Sequence, residues 1–374
     1  MMTNTMQSSR TYFLDRIRVL LTALVILHHT AIMYGAEGGW YLRYKASAQA
    51  SGLLLTLFCS VNQAFFMGMF FLLAGYFSTR SFESKGPRRF FTDRLLRLGV
   101  PILVFGFLLG PLSIALAETP TGETVWSFWW YLMGRATFSI GPLWFAYALL
   151  IFSVAYLLLR FLSPRKFWHL PEAALSGRGV LLFALVWGFA AFTLRLWVPT
   201  GQERGSLQIG YFASYILLFF FGCAASQARL LEKIDRKLAL PWGWISLLTI
   251  PSLFTYAILS GALKGGAFHV NGGWTMPAFA YAMWEPFVAC GIMLMLLWRF
   301  RVSTNPWAFW KKLAPLCFAA FIVHTPIVVG LGMMSQSWKD YSLAMFLTVG
   351  AASLVLSFGV AALLIKLPGA KKIL

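Results

Sequence analysis

The stretch LDRIRVLLTALVILHHT, residues 14–30, decides the fold and poses the first chemical question. From Val19 to Leu27 it reads as a membrane helix. Arg16 and Arg18 stand at its mouth, and His28 and His29 occupy positions where lipid-facing leucine is expected. A basic start before an apolar run resembles a secretory signal. The two histidines interrupt that run and no small-residue cleavage site follows, so an uncleaved first helix is expected.

Working outward, the same kind of run recurs. A spanning helix needs about 20 mostly apolar residues. About ten such runs follow one another, near 17–36, 53–77, 98–117, 140–161, 180–198, 210–228, 243–262, 277–298, 314–334 and 342–366. The composition agrees: 59% of the 374 residues are hydrophobic and 11% are charged, against about 25% charged in soluble domains. The expected fold is an all-α integral membrane protein with about ten helices in one bundle. Residues 1–374 are read as a single transmembrane domain with no soluble domain.

The net charge of +19 does not point to nucleic acid. The basic residues are dispersed over short loops, as membrane topology requires. With the N-terminus in the cytoplasm, the inside segments carry sets such as Arg80, Lys85, Arg88, Arg89, Arg94 and Arg97. The outside ones carry Arg43 and Lys45, or Lys339 alone. Every inside segment is richer than every outside one, so both termini are expected in the cytoplasm. The tail beyond Lys366 reads as a stub. WSFWWYLMGR, residues 126–135, has the profile of a segment at the outer interface, where tryptophan is favoured. The four cysteines fall in apolar runs without metal-binding spacing, so neither a disulfide nor a metal is expected.

Ionisable groups at membrane depth are costly and usually line a site. Here they are His28 and His29 in the first span, Glu285 in the eighth and His324 in the ninth. At about 1.5 Å per residue from the inner end, His29, His324 and Glu285 lie about 18, 15 and 20 Å up. They share a layer near mid-membrane, which predicts that their helices bring them together. Arg18 and His29 are eleven residues apart, about 1100° of helix, so they share one face about 16 Å apart. His28 is turned about 80° off it. In PRRFFTDRLLRLGVP, residues 87–101, Arg94 and Arg97 lie one helical turn apart and form a candidate phosphate clamp. Each arginine, taken alone, is equally a snorkelling topology signal.

Together these residues suggest a mechanism. Arginines at the cytoplasmic mouth hold the phosphates of a long donor whose reactive tip reaches an imidazole about 15–20 Å above. Acyl-CoA has that form: a phosphate head and a thioester tip. His29 is then the general base for an acceptor hydroxyl, and Glu285 orients or charge-balances the imidazole. A covalent acyl-histidine is the alternative. His324, Trp144, Arg195 and Tyr211 are candidate substrate contacts, with core packing or snorkelling as the competing explanation. His169 and His269 receive no role.

The residues also carry a resemblance. YFLDRIRVLLTALVILHH (12–29), with its Leu-Asp-x-x-Arg start and an arginine and a histidine, Arg18 and His29, with ten residues between them, resembles the opening of the acyltransferase-3 family. The family's Arg-x-x-Arg falls on Arg94 and Arg97. The likeness continues through FFLLAGYFS (70–78), PLWF (142–145), FFFGCAAS (219–226) and FIVHTP (321–326). It is strongest to a ten-span branch implicated in succinylating periplasmic glucans, which shares a glutamate at the position of Glu285. Thr325 departs from that branch's second histidine. The resemblance implies a multi-pass O-acyltransferase of the bacterial inner membrane. It would take succinyl or acetyl groups from acyl-CoA and pass them to an extracytoplasmic glycan, with membrane lipid as its surroundings. The competing class is a transporter or flippase that binds substrate or protons at the mid-membrane histidines and glutamate. Transporters often show internal repeats, and none is visible here.

Overall fold

A computed structural model describes residues 2–162, 170–262, 268–303 and 308–374. His169 lies outside the described residues. The described chain is helical, and its only β-type pairing is an isolated bridge between Arg204 and Leu207. The helices are α1 (Met2–Met33), α2 (Gln49–Arg94), α3 (Val100–Val104), α4 (Gly110–Glu118), α5 (Val125–Gly134), α6 (Trp144–Leu162) and α7 (Gly177–Trp197). There follow α8 (Phe212–Ala225), α9 (Arg236–Leu259), α10 (Met276–Val302), α11 (Ala308–Leu313), α12 (Cys317–Met334), α13 (Ser342–Leu364) and α14 (Ala370–Ile373).

Among the described residues, 8 helical stretches are long and apolar enough to cross a membrane. The difference from ten has two causes. The second and third predicted spans lie on one continuous helical stretch, Gln49–Glu118, 70 residues long. Its internal break is Gly86, whose φ of 75° and ψ of 168° leave the helical region. Glycine adopts that conformation without the steric cost a Cβ would bring, and the following Pro87 has no N–H to donate backwards. The predicted span 210–228 is the shorter apolar helix Ile209–Ala225. Two π-helical segments, Leu95–Gly99 and Phe105–Leu109, flank α3.

The chain divides into two compact units. Unit 1 is formed by Met1–Ile17, Val61–Phe90 and Val154–Pro306; unit 2 by Arg18–Ser60, Phe91–Ser153 and Trp307–Leu374. In unit 1, α10 packs on α9 and α7. Gly75 and Gly222 let α2 and α8 approach backbone to backbone, since a Cβ on either would strike the other helix. Several arginines that mark the inside also cap helices here. Buried Arg16 donates to the carbonyls of Phe300 and Ser303 at the end of α10. Arg301 donates to those of Glu232 and Ile234 at 2.5 and 2.6 Å.

In unit 2, α12 packs against α13 and α4. A core of Ile26, Ile32, Met33, Tyr34, Leu55, Cys59, Val328 and Val349 joins α1, α2, α12 and α13. The tail beyond Lys366, read as a stub, is folded back. Gly369 takes a left-handed turn (φ 78°), Leu374 packs with Leu316, Ala319, Ala320 and Ala361, and α14 lies against the π-segment Leu95–Gly99.

Candidate active site

Unit 2 brings two of the predicted residues into direct contact. Nδ1 of His29 on α1 lies 2.8 Å from Nε2 of His324 on α12. The ring planes are nearly parallel, 9° apart. Nδ1 of His324 lies 2.6 Å from the carbonyl oxygen of Phe321, one turn earlier on α12. Pro326 supplies no N–H to the Ile322 carbonyl, so this turn also lacks one helical bond.

These two bonds fix the tautomers. A carbonyl oxygen only accepts, so Nδ1 of His324 carries the hydrogen. The neutral His324 ring then offers Nε2 as an acceptor, and Nδ1–H of His29 donates to it. Nε2 of His29 keeps its lone pair, the form a general base requires. His324 is fully buried, whereas His29 is partly exposed. In unit 2, therefore, the ring that orients His29 is a second imidazole.

The loop after α1 covers the His29 ring. Trp40 stacks on the His29 ring, with centroids 4.0 Å apart and planes 12° apart. The loop is tied down on both sides of it. Tyr34 Oη lies 2.5 Å from Ser335 Oγ, and Tyr41 Oη lies 3.1 Å from Ser139 Oγ. Tyr44 donates from its backbone N–H to Met33 O at 2.7 Å and from its hydroxyl to Gly332 O at 3.0 Å.

The remaining predicted residues of unit 2 are placed as follows. α1 is unbroken from Arg18 to His29, so the eleven-residue register holds along one helix. Arg18 is half-buried. Arg94 ends α2, and Arg97 is exposed on the π-turn Leu95–Gly99. A π-turn takes more residues than an α-turn, so the two arginines do not have plain α-helical spacing. Trp144 opens α6, its ring edge-on to Phe145.

Unit 1 holds a second polar cluster. Nη2 of Arg195 donates to Oε2 of Glu285 at 2.5 Å, and Nε donates to the Gly210 carbonyl at 3.0 Å. The guanidinium lies over the rings of Tyr211 and Tyr281, at 5.3 and 4.9 Å. Arg195 is 1% and Glu285 3% exposed. Nη1 of Arg195 meets no acceptor among the described residues. The sequence reading gives Glu285 the role of orienting or charge-balancing His29, and Arg195 and Tyr211 that of substrate contacts; all three lie in this cluster of unit 1. The partner Glu285 takes in unit 1 is a guanidinium.

Two participants were missed from sequence. Tyr281 sits four residues before Glu285, one turn away on α10, a spacing that would have found it. Trp40 lies in a glycine-flanked loop and carries no periodic signal. Among the described residues, no group of three His, Cys, Asp or Glu side chains is arranged to hold a metal ion. All four cysteines are buried and none forms a disulfide.

The fold and these buried groups define a multi-pass membrane protein with a histidine pair inside one unit and an arginine–glutamate pair inside the other. The chain matches the acyltransferase-domain family Acyl_transf_3 over residues 11–366 and belongs to that family. Curated relatives include glucans biosynthesis protein C of Escherichia coli K12, 36% identical over 100 residues. The proteins of the same description from Escherichia coli SMS-3-5 and from Escherichia coli O1:K1 match to the same degree. Each alignment covers 27% of this chain and 25% of the relative. The aligned region is thus about a quarter of the length of these relatives. No solved structure matches the chain.

Proposed function

We propose that this acyltransferase sits in a bacterial inner membrane and moves a succinyl or acetyl group from cytoplasmic acyl-CoA to a hydroxyl of an extracytoplasmic glycan, a periplasmic glucan. The observation that carries the reading is the His29–His324 pair, with the Nε2 lone pair of His29 set by the Phe321 carbonyl. His29 takes the acceptor's proton as its oxygen attacks the thioester carbon. His324 orients the ring and stabilises the imidazolium through its Nε2, the part a carboxylate plays in a serine triad. The proton then passes to the departing thiolate. Arg18, Arg94 and Arg97 hold the donor's phosphates by charge-assisted hydrogen bonds. The glucan and the succinyl group rest on the likeness to glucans biosynthesis protein C.

The test uses purified protein in lipid nanodiscs, with labelled succinyl-CoA or acetyl-CoA and a periplasmic glucan. Release of free coenzyme A with label appearing on the glucan supports the proposal. His29→Ala lowers kcat by about 10²–10⁴-fold, the usual worth of general-base catalysis. Absence of transfer from every short-chain thioester overturns it in favour of transport.

A further inference from the structure

We infer that Trp40 is the hydrogen-bond donor for the oxyanion formed next to His29, an inference that rests on the acyl-transfer reading above. Tryptophan in an outer loop ordinarily joins the interfacial belt, with its ring among the headgroups and its N–H wetted. Trp40 does neither. Its ring lies flat on the His29 imidazole at 4.0 Å and packs with the core of unit 2 beside Leu42 and Tyr44. Its Nε1–H is buried and meets no acceptor among the described residues.

A buried donor left without a partner is destabilising, and such groups call for an explanation. Here the loop is held so that the cost persists. Tyr41 is bonded to Ser139, and Tyr44 to Met33 and Gly332. Those bonds hold the backbone on either side of Trp40, and the stack on His29 holds its ring. A preorganised donor beside the base, in a place water does not wet, is what stabilises charge developing on a reacting oxygen. Tryptophan supplies a donor and no acceptor, so it cannot take the proton that Nε2 of His29 receives from the acceptor hydroxyl.

The step balances without a further reactant. The acceptor oxygen bonds to the thioester carbon and its proton goes to Nε2 of His29. The carbonyl oxygen becomes an oxyanion, which accepts from Nε1–H of Trp40. Collapse restores the carbonyl and breaks the C–S bond, and the thiolate takes the proton back from His29.

The experiment replaces Trp40 with 3-benzothienylalanine, in which sulfur stands for the N–H at nearly unchanged shape, and measures acyl transfer in nanodiscs. The expected result is a kcat lower by about 10²–10³-fold, the cost of one oxyanion donor, with the acyl-CoA KM unchanged. Trp40→Phe, which keeps an aromatic face, should lose kcat to a similar extent and serves if the analogue folds poorly. Transfer by the wild type together with a wild-type kcat in either variant overturns the assignment alone. Lack of transfer by the wild type overturns the acyl-transfer reading, and the assignment with it. Loss through KM with kcat retained also overturns it, by making Trp40 a binding surface.

Discussion

At the scale of single residues, His324 is the most informative position. It has one bond to a carbonyl and one to His29, and each nitrogen has a defined role. His324→Ala should lower kcat by about 10²-fold or more, because His29 loses the acceptor that sets its tautomer; the carboxylate of a serine triad is worth about 10⁴-fold. His324→Gln, whose amide oxygen can accept from Nδ1–H, should recover part of that loss. Steady-state rates of the two variants at saturating acyl-CoA check this, and equal rates would deny the orienting role. Glu285 is tested differently. Removing it leaves the Arg195 charge buried, which costs about 3–5 kcal/mol, so Glu285→Ala should lower the thermal midpoint strongly. Replacing both partners, as Arg195→Met with Glu285→Leu, should restore much of the stability. Activity of that double variant separates a packing role from a substrate contact.

At the scale of elements, the spans were legible because length and apolarity follow from bilayer thickness alone. Boundaries and joints were less so. PRRFFTDRLLRLGVP signals charge at a membrane edge, but nothing in it announces the π-turn Leu95–Gly99 that carries Arg97. Such turns depend on how neighbouring elements seat the helix, and here α14 lies against it. The site was partly legible for the same reason. His29 and His324 stood out because ionisable groups are rare in apolar runs. Trp40 and Tyr281 did not, because aromatic residues are common throughout this chain. Arg94→Ala combined with Arg97→Ala should raise the acyl-CoA KM, and added salt should narrow the gap to the wild type by screening the clamp. Gly86→Ala should destabilise by about 1–3 kcal/mol, the cost of a Cβ in this glycine-only backbone region, read as a lower thermal midpoint.

At the scale of the whole molecule, the ion pair of unit 1 and the histidine pair of unit 2 obey one constraint. Hydrocarbon gives buried polar groups nothing to bond to, so the two imidazoles pair with each other and the guanidinium pairs with the carboxylate. The same constraint explains why so few ionisable side chains lie in the spans and why basic residues gather in alternate loops. That charge asymmetry sets the orientation. A reporter enzyme active only outside the cytoplasm should work when inserted after Gly122 and stay silent when fused after Leu374. The reverse pattern would invert the topology.

The ties of the loop after α1 have a consequence for local motion. Connecting segments usually exchange their amide hydrogens within seconds, because little holds them. This one is pinned by three tyrosines, to Ser335, Ser139 and Gly332. In deuterated buffer the amide of Tyr44, bonded to Met33, should stay protected for as long as the helices around it. The turn at Gly122 should label at once.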